Sequence, residues 1–77
     1  MHEPAGRLRQ AVRTYLAGGA MTPGEVAVIR VYLRQWISGP WQGKNLNTLR
    51  LTVGAIQTRR DIERWLGLAM HDGIDPL

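Results

Sequence analysis

Apolar positions along the chain fall into four stretches with helical spacing. Between Thr22 and Ser38, Val26, Ile29, Leu33, Trp36 and Ile37 share one stripe, the repeat of a helix face turned to a core. Val28, Val31 and Tyr32 carry apolar surface around the back, where a surface helix is ordinarily polar. Such a helix wants neighbours on more than one side. It is expected to be the central, nearly all-apolar helix of a small bundle, or to hold the core with one face and a partner with the other. Thr22 as N-cap, Pro23 at the first helical position and Glu25 as the second half of a capping box mark its start. Ser38-Gly39-Pro40 marks its end, glycine offering a left-handed terminus and proline barring continuation.

The other stretches follow the same logic. Residues 1–4 read as a loose lead-in. The spacing of Leu8, Val12, Tyr15 and Leu16 predicts a helix over 4–17, closed by Gly18-Gly19. Residues 45–56 are ambiguous: Leu46, Leu49, Val53 and Ile56 make a helical stripe, whereas Leu49, Leu51 and Val53 alternate as in a strand. Helix is preferred, because a lone strand would have no partner. The last helix, 58–72, opens with a Thr58/Asp61 capping box, turns Ile62, Trp65, Leu66 and Ala69 inward, and closes at Gly73 with Ile74 folding back on the last turn. The expected fold class is therefore all-α, a four-helix single domain over 1–77.

A length of 77 residues allows one core but a marginal one, burying only about 60% of the unfolded surface. A chain this small invites a partner or an oligomer. Cysteine is absent, which removes disulfides, thiol nucleophiles and thiolate metal sites. No stretch approaches the roughly 20 apolar residues of a membrane span. The opening sequence is broken too often by charge for a secretory signal. A soluble cytoplasmic protein without a membrane partner is the expectation.

Catalytic chemistry finds little footing. His2 and His71 stand at opposite ends of the chain without a ligand-spaced neighbour, and no nucleotide-binding, nucleophile-elbow or zinc motif occurs. Glu25 and Asp61 are explained as caps, and Asp61 and Glu63 diverge on their helix. A non-enzymatic chain with no metal or cofactor is the reading that remains.

Net charge is +4 and the isoelectric point about 10.7, values that favour an acidic partner. Nine of the ten basic residues are arginine, a bias that a GC-rich genome would also produce. Arginine pairs nevertheless recur at i, i+4: Arg9 with Arg13, Arg30 with Arg34, and Arg60 with Arg64. Each such like-charge pair costs roughly 0.2–0.5 kcal/mol. If the pairs converge, they make a basic patch suited to phosphates or carboxylates; otherwise they are solvated faces. Trp41, in a Gly-Pro loop, serves either as a lid on the core or as a partner anchor. Gly54 and Gly67 stand within helical stretches at up to about 1 kcal/mol each. Gly67 is the odder, since it points with Arg60, Arg64 and His71.

A helix-turn-helix does not fit Leu51–Leu66, because Ile62 follows Gly54 two positions later than that motif places its apolar residue. The functional expectation is a small binding protein of the accessory-subunit or inhibitor kind, docking on a protein or nucleoprotein. Its candidate contacts are Arg60, Arg64, Arg30, Arg34, Arg9, Arg13, Trp41 and Val31. The alternatives are a nucleic-acid-binding protein acting through phosphate contacts and a homo-oligomeric structural component, a homodimer in the simplest case.

Overall fold

The computed structural model describes residues 4–77. Of the expected lead-in, residues 1–3, and with them His2, lie outside the described residues, and Pro4 opens the first helix. The elements are α1 (Pro4–Leu16), α2 (Pro23–Ile37), α3 (Leu46–Thr52), a 3₁₀ turn (Val53–Ala55) and α4 (Arg59–His71). Among the described residues there is no strand, and no helix is long and apolar enough to cross a membrane.

α2 packs against α1, α3, the 3₁₀ turn and α4. It supplies Val26, Ile29, Leu33 and Ile37 to the core. These meet Ala11 of α1, Leu49, Val53 and Ile56 of the third segment, Ile62, Trp65, Leu66 and Ala69 of α4, and Ile74 of the tail. Each large aliphatic side chain so buried contributes about 1.5–3 kcal/mol relative to exposure. On α1 the inward face is centred on Ala11 rather than on the predicted stripe. Leu8 and Tyr15 flank Ala11, Val12 is half-buried and Leu16 stands 66% exposed.

Local signals in the sequence set most helix ends. At α2 the Thr22 hydroxyl accepts from the Glu25 amide at 3.1 Å while the Glu25 carboxylate accepts from the Thr22 amide at 2.9 Å. Thr58 and Asp61 do the same at α4, and the Asp61 carboxylate takes the Gln57 amide as well. α1 and α4 end in Schellman turns. Gly18 and Gly73 have φ of +77° and +75°, a region that suits glycine. Their amides donate to Tyr15 and Met70, and those of Gly19 and Ile74 to Thr14 and Ala69.

Two ends depart from expectation. Gly39 is not left-handed: Ser38 continues the right-handed helical backbone, and α2 is closed instead by the Trp41 indole, whose Nε1 donates to the Trp36 carbonyl at 2.6 Å. The third segment is not one helix over 45–56. α3 tightens at Val53 into the 3₁₀ turn and stops at Ile56, whose backbone is extended. The tighter winding eclipses side chains three apart and so places Val53 and Ile56 together in the core. Leu51, part of the competing strand pattern, points to solvent.

Candidate nucleic-acid and protein docking surface

Three arginines are used by the fold, each donating to carbonyls at the C-terminal end of a helical element, where the regular helical hydrogen bonds run out. Arg59 donates to the carbonyls of Tyr15 at 2.6 Å and Gly19 at 3.2 Å at the end of α1. Arg50 donates to Ile37 at 3.1 Å and Gly39 at 2.9 Å at the end of α2. Arg30 donates to Ile56 at 2.8 Å where the 3₁₀ turn ends. A cation in that position also opposes the negative end of the helix dipole. Arg30 thus has a partner within the fold. Its companion Arg34 lies over Gly54, where an added Cβ would sit 2.5 Å from the guanidinium. The absent side chain at Gly54 accommodates Arg34.

The carboxylates among the described residues are spent in the complementary way. Glu25 and Asp61 cap their own helices. Asp72 reaches back to α3, accepting from the backbone amide of Asn45 at 2.9 Å and its side-chain amide at 3.1 Å. Glu63 pairs with Arg59 at 3.2 Å, the one ion pair among the described residues. Asp75 lies exposed in the tail. The amide of Thr22 and the hydroxyl of Thr14 hold the Glu25 carboxyl below its ordinary range, the backbone bond dominating. The Gln57 amide does most to lower Asp61, with lesser help from Thr58 and Arg64.

The positive charge left over faces outward. Arg60, Arg64, Gly67 and His71 follow one another at i, i+4, i+7 and i+11 on α4, all exposed, on the side away from Ile62, Trp65, Leu66 and Ala69. At a rise of 1.5 Å per residue this strip runs about 16 Å. Nothing lies within 4 Å of a Cβ placed on Gly67. Close helix packing, which would have explained a glycine in mid-helix, is therefore not its reason here. Beside the strip, Arg64 lines a shallow groove with Asp61, Thr48, Thr52, Ala55 and Leu68. The two threonines carry no signal in the sequence, because only the packing of α3 on α4 brings them next to Arg64.

The remaining sites do not join this strip. Arg9 lines a separate groove with Val12, Tyr32, Pro76 and Leu77. Tyr32 lies about 160° around α2 from Arg30 and Arg34, so the first arginine pair is on the far side of the central helix from the second. Arg13 is exposed beside Arg9, Gly6 and Gln10. Trp41 is half-buried and stacked on Trp36 at 4.0 Å with an interplanar angle of 20°, which is the geometry of a lid. Val31 is 53% exposed and borders an apolar groove with Leu8, Ala27, Val28 and Tyr32. Among the described residues no three His, Asp or Glu side chains gather closely enough to hold a metal ion.

Compared with known proteins, the chain matches no family model, no curated protein sequence and no solved structure.

Proposed function

We propose that this chain is a small, cytoplasmic, non-enzymatic docking protein that binds a protein or nucleoprotein partner through the outer face of α4. The observation that carries this reading is the line of Arg60, Arg64 and His71 around Gly67, an exposed glycine that the fold does not use. Arg59, Arg50 and Arg30 close helix ends, and Glu25, Asp61 and Asp72 open them. Arg60 and Arg64 have no such task, while a guanidinium matches carboxylate and phosphate geometry with two parallel hydrogen bonds. Arg9 and Arg13 form a second basic strip, available to a large partner but not continuous with the first.

The test is retention on immobilised polyglutamate, a generic acidic surface. The wild type should elute at clearly higher salt than Arg60→Glu/Arg64→Glu, with superimposable circular dichroism melts. Equal elution would sink the reading, and a large drop in melting temperature would make the arginines structural.

A homo-oligomer is the second reading, supported by the apolar back of α2 at Val28, Val31 and Tyr32. Val31→Glu should leave the melt intact and lower the mass in solution if that face pairs copies. A monomeric wild type would dispose of it.

A further inference from the structure

We infer that the α4 strip runs along the phosphate backbone of a nucleic acid, with Gly67 as the point of closest approach. This rests on the docking reading and names the partner of the same surface. Protein interfaces gain most of their energy from aromatic or apolar anchors seated in pockets, with arginine beside them. The strip has arginine, glycine and histidine in one line and no such anchor; Met70 and Glu63 stand at its edge. Two guanidinium groups one turn apart on a rigid helix fit a partner whose charges recur at regular intervals, which is the character of a phosphate backbone.

Gly67 sharpens the argument. A glycine within an exposed helix is destabilising relative to alanine, and a methyl group there would meet nothing. The missing side chain opens a gap between Arg64 and His71 through which a phosphate can reach the helix surface. Thr48, in the groove that Arg64 borders together with Asp61, offers a hydroxyl donor of the kind that contacts phosphate and sugar, whereas the Thr52 hydroxyl donates to the Thr48 carbonyl at 2.7 Å. Asparagine and glutamine, which pair with adenine edges, are missing from the strip. The proposed contact is with the backbone, which carries no base sequence of its own.

The experiment measures fluorescence anisotropy of a short labelled duplex, and of a single strand of equal length, against the full chain at about 50 and about 200 mM salt. Two to three neutralised phosphates give a log-log slope of about −1.8 to −2.7 on duplex, an affinity loss of about 10- to 40-fold across that range. Arg60→Glu/Arg64→Glu should abolish binding.

The decisive variant is Gly67→Gln. Its better helix propensity should raise the melting temperature by up to about 4–8 °C, while its side chain fills the gap and lowers affinity several-fold. A stabilised variant with unchanged affinity would overturn the inference, as would binding that survives the double charge reversal. Absence of nucleic-acid binding, with polyglutamate retention still dependent on Arg60 and Arg64, would overturn the inference and leave the docking reading standing. Loss of both would overturn both.

Discussion

Arg59 closes the end of α1 by clasping Tyr15: its guanidinium lies 4.6 Å from the centre of the tyrosine ring and donates to the Tyr15 carbonyl at 2.6 Å. The same guanidinium reaches the Gly19 carbonyl and Glu63. One side chain from the first turn of α4 thereby ties down the turn between α1 and α2. Burial raises the Tyr15 phenol above its ordinary value, Glu63 adds to the rise and Arg59 opposes it.

Arg59→Ala should therefore destabilise the fold by about 2 kcal/mol, the scale of hydrogen bonds from a charged donor with a cation–π contact added. For a chain of this size that corresponds to a fall in melting temperature of roughly 10 °C. Arg59→Lys should recover less than half of it, since an ammonium cannot fork to two carbonyls while stacking on a ring. Thermal melts of the three proteins test this. An alanine variant as stable as the wild type would mean that the clasp contributes nothing.

Gly43 is a second point where one residue governs two elements. A Cβ there would lie 2.7 Å from the Cβ of Asp72, too close to the backbone for a rotamer change to relieve. Asp72 is the residue that holds Asn45 at the start of α3. Gly43→Ala should cost about 1–3 kcal/mol, as overpacking does. Combined with Asp72→Gly, which removes the Cβ as well as the carboxylate, it should add little, because the clash and the tie are then both gone. Additive losses in a double-mutant cycle would refute this coupling.

Sequence and structure agree wherever the signal is local. The capping boxes at Thr22 and Thr58 and the turns at Gly18 and Gly73 join residues within five positions, so spacing alone reveals them. The arginine contacts are of another kind. Arg59 meets Tyr15 across 44 positions and Arg30 meets Ile56 across 26, distances at which no periodicity records a hydrogen bond. Two pairs with the same i, i+4 spacing consequently have different fates: Arg30 and Arg34 are drawn over the 3₁₀ turn, whereas Arg60 and Arg64 stay in solvent. The 3₁₀ turn was hidden because Val53 and Ile56 belong equally to an α-helical stripe. Gly39 departs from its expected left-handed turn because Trp41 meets the last turn of α2 instead. Gly67 could be singled out from its neighbours on the helix, but only coordinates show the space around it to be empty.

Trp41 separates stability from docking. Trp41→Phe keeps the stack on Trp36 and loses the bond to the Trp36 carbonyl, a loss of about 1 kcal/mol. Trp41→Ala removes both and should cost about 2–3 kcal/mol, somewhat below a fully buried aromatic. As a lid, Trp41 should leave polyglutamate and nucleic-acid binding of the folded protein unchanged in either variant. Weaker binding by Trp41→Phe under conditions where it is fully folded would instead make the indole a contact residue.

Acid should unfold this protein by way of its capping boxes. The carboxyls of Glu25 and Asp61 sit below their ordinary values of 4.5 and 3.8, chiefly because the amides of Thr22 and Gln57 donate to them. Groups lowered in the folded state stabilise it while they are ionised, so their contribution is complete above the ordinary values and is lost as pH falls through the lower, folded ones. The melting temperature should be level near neutrality and drop progressively below about pH 4.5, as the unfolded chain takes up protons first. Glu25→Gln with Asp61→Asn keeps an acceptor at each cap but removes the titrating group. That variant should start lower at neutral pH, where the charge no longer opposes the positive end of the helix, and show a shallower acid limb. Melts across this range compare the two limbs directly, and parallel limbs would mean that acid acts elsewhere than at the caps.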